Sequence, residues 1–377
     1  MKSIRIISMI LLFVCMLSCG GSKEENNNTI QMEKFGTLDN GQEVSKYTLR
    51  NANGIELSVI NYGGIITSLK VPDRKGNMDD IVLGYDDLQS YVDNNPYFGA
   101  IIGRYGNRIA KGAFELNDTT YQLAVNNLGN HLHGGLLGFD KVFWSAEMFE
   151  EEDGVGIRLT YLSEDREEGY PGNLNTTVTY FLSHDDRLSF QYEATTDKPT
   201  IVNLTQHTYF NLSGMEEDIL AHTLMLNADR YLPVDSTLIP TGELRPVDNT
   251  PFDFTDPKLV SKDINAENRQ LEIAGGYDHC WVLNREGEDL SLAATLFHEK
   301  SGRFLEVYTT EPGIQFYSGN FLDGTLEGKG NQYAFRSGLC LETQHYPDSP
   351  NQPDFPSVAL NPGEKYSSTT EMRFSTK

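Results

Sequence analysis

The chain is poor in cysteine, has no surplus of basic residues and, beyond its first twenty residues, carries no long apolar run. Four cysteines in 377 residues do not make a disulfide framework, and two of them, Cys15 and Cys19, fall in the N-terminal segment. Thirty Lys and Arg against 54 Asp and Glu leave a formal charge of −24. The basic footprint of a nucleic-acid binder is therefore absent, as is a polybasic patch for a membrane surface, and strongly anionic substrates are disfavoured unless a local basic pocket receives them. No stretch has the apolar period of a long amphipathic helix; residues 263–271 have room for one or two turns. Internal repeats are absent too.

What is present begins with a targeting signal. Lys2 and Arg5 precede an apolar run, Ile6 to Leu17, that is too short to span a bilayer as a mature helix. Leu17-Ser18-Cys19-Gly20 then resembles a bacterial lipoprotein lipidation site. The expected organisation is a signal peptide over 1–18, a lipidated Cys19 with a flexible tether over 19–32, and a single domain over 33–377. The tether follows from Lys23-Glu24-Glu25 and three asparagines with nothing apolar to bury. Such a protein is exported and lipid-anchored to the cell envelope, touching the membrane only through its lipid.

Past residue 32 the pattern is β. Val178, Tyr180 and Leu182 alternate with polar residues, Asp185-Asp186-Arg187 turns, and Leu188, Phe190, Tyr192 and Ala194 return. Leu292, Ala294 and Leu296 repeat the theme across Ser301-Gly302 with Leu305, Val307 and Thr309. Glycines (34) and prolines (15) are spread as turn punctuation. The expected fold class is all-β, a large antiparallel β-sandwich.

Several stretches carry groups suited to chemistry. Asn203–Gly214, NLTQHTYFNLSG, presents His207 beside Gln206 and Tyr209, and histidine exchanges a proton near neutral pH with least tuning. Gly99–Gly112, GAIIGRYGNRIAKG, sets Asn107 next to Arg108, an amide and a guanidinium fork able to grip hydroxyls; Arg104 is a second candidate, and a surface hairpin with solvated arginines is the plain alternative. In NNLGNHLHGGLLG, His131 and His133 are two apart and would share a face of a strand. A metal pair is conceivable there, but no third ligand stands nearby. His133 reads as a hydrogen-bonding residue, with Gly134-Gly135 allowing close backbone approach. GGYDHCWVL holds Asp278. GLCLETQHYP places Glu342 in an otherwise apolar strand, on the face of Cys340 and opposite Leu339 and Leu341. A carboxylate so placed has a partner or a task, and desolvation there lifts its pKa toward a general base's range.

In this order GRYGNRIAKG, HLHGG, NLTQHTYFNLSG, GYDH, EPGIQFYSGNF and LETQHYPDSPNQPDFP resemble the aldose 1-epimerase (galactose mutarotase) family, from about Phe35 to the C-terminus. The resemblance implies a β-sandwich with a free hexose, such as galactose or glucose, lying on one sheet, and an isomerase needing no cofactor and no metal. It implies Glu342 as general base and His207 as general acid. Asn107, Arg108, His133, Tyr209, Asp278 and Gln315 would bind hydroxyls or orient the two. The chemistry agrees: anomers interchange when the C1 hydroxyl loses a proton and the ring oxygen gains one, which a carboxylate and an imidazolium can do together. Period-two alternation adds Cys280 and Cys340 to the floor of such a site, as small apolar fillers rather than a disulfide. A non-catalytic sugar-binding lipoprotein is the reading from another class, and a glycoside hydrolase using Asp278 and Glu342 is a third.

Overall fold

The alternation expected between Val178 and Ala194 is a hairpin: Leu174–Ser183 pairs antiparallel with Arg187–Thr196, Tyr180 opposite Phe190. The second expected pair, Ser291–His298 with Arg303–Thr309, is likewise formed. The structure, a computed structural model, describes residues 29–377 apart from Glu286. The signal over 1–18, Cys19 and the tether up to residue 28 lie outside the described residues. The first strand, Ile30–Thr37, starts inside the segment assigned to the tether, because Ile30 already pairs with Leu49.

Three sheets carry the molecule. Ile30–Thr37, Glu43–Arg50, Glu56–Ile60, Ile66–Pro72 and Met78–Asp80 form a meander in chain order. Nine strands between Ser145 and Thr376 form the largest sheet, in which the last strand, Tyr366–Thr376, is inserted between Arg187–Thr196 and Arg303–Thr309. A six-stranded sheet runs in the order Tyr209–Phe210, Leu339–Gln344, Gly313–Tyr317, Asp278–Val282, Arg230–Tyr231, Arg245–Pro246. One continuous core, from Tyr47 to Phe374, draws side chains from all three.

The six-stranded sheet positions the chemistry because its two faces differ. Leu339, Leu341, Ile314, Phe316 and Trp281 point into the core and are fully or almost fully buried. Asp278, Cys280, Gln315, Tyr317, Cys340 and Glu342 alternate with them and take the opposite face, as period two requires. Phe316 and Trp281 are thereby core residues. The helical turns expected at 263–271 sit later, at Arg269–Ala274, where the Asn268 side chain accepts from the Gln270 N–H and Gly275 leaves in the left-handed conformation.

Candidate active site

The polar face of the six-stranded sheet ends in a cavity of about 290 Å³. Its lining includes Asn107, Arg108, His133, His207, Tyr209, Asp278 and Glu342. These residues are spread over more than 230 positions of sequence, yet antiparallel pairing sets them together: Gln315 stands opposite Glu342, Tyr317 opposite Asp278, and Tyr209 opposite Cys340. A larger hollow, of about 700 Å³, lies against the outer face of the first sheet, but its lysines are already paired, Lys46 with Glu33, Lys70 with Glu56 and Lys329 with Asp80. Two histidines, an arginine and two carboxyls converge in the smaller cavity instead.

Glu342 is 2% exposed, and its Oε1 lies 3.7 Å from His207 Nε2 while Oε2 has no partner among the described residues. Burial pushes the Glu342 carboxyl well above the usual range and the Asp278 charge adds to it, whereas Arg108 opposes both. His207, 5% exposed, is driven the other way, to about 4, by burial. The expected imidazolium is therefore a neutral imidazole in this setting, because burial disfavours either charge. Carboxylic acid with neutral imidazole, and carboxylate with imidazolium, hold the same single proton.

Around this pair the remaining groups are held in place. Gln315 Nε2 donates to Asp278 Oδ1 at 2.7 Å; Gln315 therefore stands behind Asp278 and does not line the cavity. Asp278 is itself pushed up by burial, and Arg108 and Gln315 counter it. Arg108 Nε donates to Asn127 Oδ1 at 3.3 Å, and the Asn107 side chain accepts from the Arg108 N–H. Tyr209 stacks on the His207 ring, centroids 5.1 Å apart, while its hydroxyl donates to the Pro96 carbonyl.

The two histidines of HLHGG do not share a face. His131 and Leu132 pair with Ile109 and Arg108, but His133 turns to φ +50° and leaves the strand. His131 is consequently a buried structural residue, accepting from the Tyr170 hydroxyl at Nε2 and facing the Ala124 carbonyl at Nδ1. His133 enters the cavity, where it forms a compact group with His207 and Glu342 whose ligand-type atoms all lie within 4.8 Å of one another. Its Nδ1, however, accepts from the Asn107 N–H, so its neutral form carries the proton on Nε2. That tautomer offers a hydrogen-bond donor rather than a metal-binding lone pair. Gly134 is required next to it: a Cβ there would run into the Gly103 carbonyl oxygen.

Arg104 is not in the cavity. It is buried and fixed by the carbonyls of Pro171, Gly172 and Ser163. Residues that the sequence did not single out are Tyr97, Asn127 and Tyr317. Tyr97, at φ +69°, packs its ring 4.6 Å from that of His133 and 5.6 Å from that of His207. Phe321, the last residue of EPGIQFYSGNF, is 65% exposed on the rim and stacks on Tyr317. Both described cysteines are unpaired and buried, Cys340 beside His207 and Cys280 against Leu232, Tyr346 and Phe355.

The family model described as aldose 1-epimerase matches residues 45–373. The galactose mutarotase of Rattus norvegicus is 46% identical over 344 residues, covering 90% of this chain and 97% of that protein. The aldose 1-epimerase of Escherichia coli K12 is 40% identical over 336 residues, covering 89% and 96%. Among solved structures, a galactose 1-epimerase from Lactobacillus acidophilus superposes with a TM-score of 0.81 at 29% identity, over 92% of this chain and 98% of that one. With a model match over most of its length and relatives of this identity and coverage, the chain belongs to the aldose 1-epimerase family.

Proposed function

We propose that Glu342 and His207 open and reclose the pyranose ring of a free aldohexose, galactose or glucose, bound in the 290 Å³ cavity. The observation that carries this reading is the 3.7 Å approach of a buried carboxyl and a buried imidazole that burial pushes in opposite directions. The C1 hydroxyl and the ring oxygen hang from one carbon, so an acid and a base this close reach both. As carboxylate, Glu342 takes the proton of the C1 hydroxyl; the C1–ring-oxygen bond breaks, and His207 delivers its Nε2 proton to the departing oxygen. The open aldehyde turns about C1–C2. Closure on the other face returns each proton to its donor, and the pair ends as it began. Each positioned group contributes typically ~10²–10⁴-fold.

The other side chains supply binding. Arg108 favours the ionised form of both Glu342 and Asp278. Asn107, the Nε2–H of His133 and Asp278 offer donors and acceptors for ring hydroxyls, Gln315 orients Asp278, and Tyr209 holds the His207 ring. Two-dimensional exchange NMR tests the reading. Cross-peaks between the α and β anomeric protons of galactose should appear with the protein and not in buffer. Saturation transfer to a bound sugar without such exchange would make the protein a binder rather than an isomerase.

The same proposal puts the enzyme outside the cytoplasm, anchored by lipid on Cys19, on the strength of Lys2, Arg5, the apolar run and the Leu17-Ser18-Cys19 sequence. Labelled palmitate should enter the wild type and not Cys19→Ser; equal incorporation would remove the anchor.

A further inference from the structure

An imidazole that gives up its Nε2 proton must keep the other on Nδ1, since the alternative product is an imidazolate. Whatever stands at His207 Nδ1 therefore decides which nitrogen works and how strong an acid it is. In this chain that neighbour is Cys340. Its Sγ lies 3.6 Å from Nδ1, and the backbone of His207 itself also favours the protonated ring. Cys340 is fully buried, and it sits on the same strand face as Glu342, two residues away. One face of a short strand thus presents both the base and the atom behind the acid.

We infer that Cys340 is a positioning residue for His207: its sulfur accepts the Nδ1–H, which directs the exchangeable proton to Nε2 and, as a weak acceptor, keeps the imidazolium a strong acid. This inference rests on the assignment of His207 as the acid. A carboxylate in the same position would hold the imidazolium and blunt it, as an aspartate does behind a catalytic histidine that must act as a base. A thiol sulfur accepts only weakly, and burial together with the charges of Glu342 and Asp278 keeps it a thiol rather than a thiolate. The other groups facing the ring are Glu342 at Nε2, His133, Tyr97 and Tyr209, with Asp278 and Arg108 beyond Glu342. Among the side chains whose hydrogen bonds to His207 the structure describes, only Cys340 reaches Nδ1.

Two variants of the full-length chain test this. Cys340→Ser replaces a weak acceptor with a stronger one at little change in volume, and should raise the pKa of His207, moving the acidic limb of kcat up by about one pH unit. Cys340→Ala removes the acceptor; kcat should fall about tenfold or more with KM changed less than about twofold. Nitrogen-15 NMR of the histidine side chains reads the tautomer without turnover. Wild type should show protonated Nδ1 on His207, and Cys340→Ala a growing fraction protonated on Nε2. If Cys340→Ala does not fold, Cys340→Ser and the wild-type spectrum still decide. Unchanged tautomer and pH limb in the variants, or Nε2-protonated neutral His207 in wild type, would reduce Cys340 to an apolar filler. A tautomer shift in a protein that anomerises no sugar would leave the Cys340–His207 hydrogen bond standing and overturn the proposed function instead.

Discussion

At the scale of single residues, the cavity works by contrast between neighbours. Glu342 and Asp278 are carboxyls raised by the same burial, and Arg108 is the cation that opposes the rise in both. Arg108→Met should therefore make the Glu342 carboxylate harder to form. We expect kcat/KM to fall by about a hundredfold or more near neutral pH, with the alkaline limb, where the pair loses its one proton, displaced upward. Polarimetric pH profiles check this; a variant with lower affinity but an unmoved profile would make Arg108 a binding residue only. The same contrast explains what a residue-by-residue reading missed. His133 was legible as a polar group, but its departure from the strand rests on a left-handed backbone turn for which Gly134-Gly135 was the only sign. Arg104 looked as available as Arg108 in sequence, and only loop carbonyls some 60–70 residues further on withdraw it.

At the scale of the element, alternation along Gly313–Tyr317 separates stability from activity. Phe316 is fully buried, stacks on Tyr277 with centroids 5.1 Å apart and meets Phe254 edge-on. Phe316→Ala should cost about 3–5 kcal/mol in urea unfolding. Gln315→Ala, one residue away on the other face, should cost far less stability but lower kcat/KM, because Asp278 loses its 2.7 Å partner. Equal stability losses would contradict the two-faced sheet. This level of structure was the most legible in the sequence, since period two shows both the hairpins and the side of the sheet that Glu342 shares with Cys340. Strand order was not: Tyr366–Thr376 lies between strands 180 and 60 residues earlier, a pairing no local pattern encodes. Tyr97 was missed for a related reason, being a loop residue brought to the site by long-range packing.

At the scale of the molecule, buried neutral histidines tie stability to pH. His222 and His279 are both held near 3 by burial, well below the ~6.5 of an unfolded histidine. Folded, they bind protons more weakly than unfolded, so their contribution is complete above about pH 6.5 and drains as pH falls toward 3, at about 1.4 kcal/mol per pH unit for each. His133, lowered well below the usual value, and His207, lowered to about 4, add to this; Asp140, raised to about 6, and Glu342, raised well above its usual range, work against it. The urea midpoint should thus fall between pH 7 and pH 5, and a midpoint that rises over that interval would contradict the burial of these side chains as neutral groups.

Catalysis by the single proton that Glu342 and His207 share is read by optical rotation. Freshly dissolved α-D-galactose should relax to its equilibrium rotation far faster with wild type than in buffer. Glu342→Gln and His207→Asn should each slow that relaxation by about a thousandfold while circular dichroism shows the sandwich intact. A folded variant of either kind that still anomerises galactose at the wild-type rate would contradict the account.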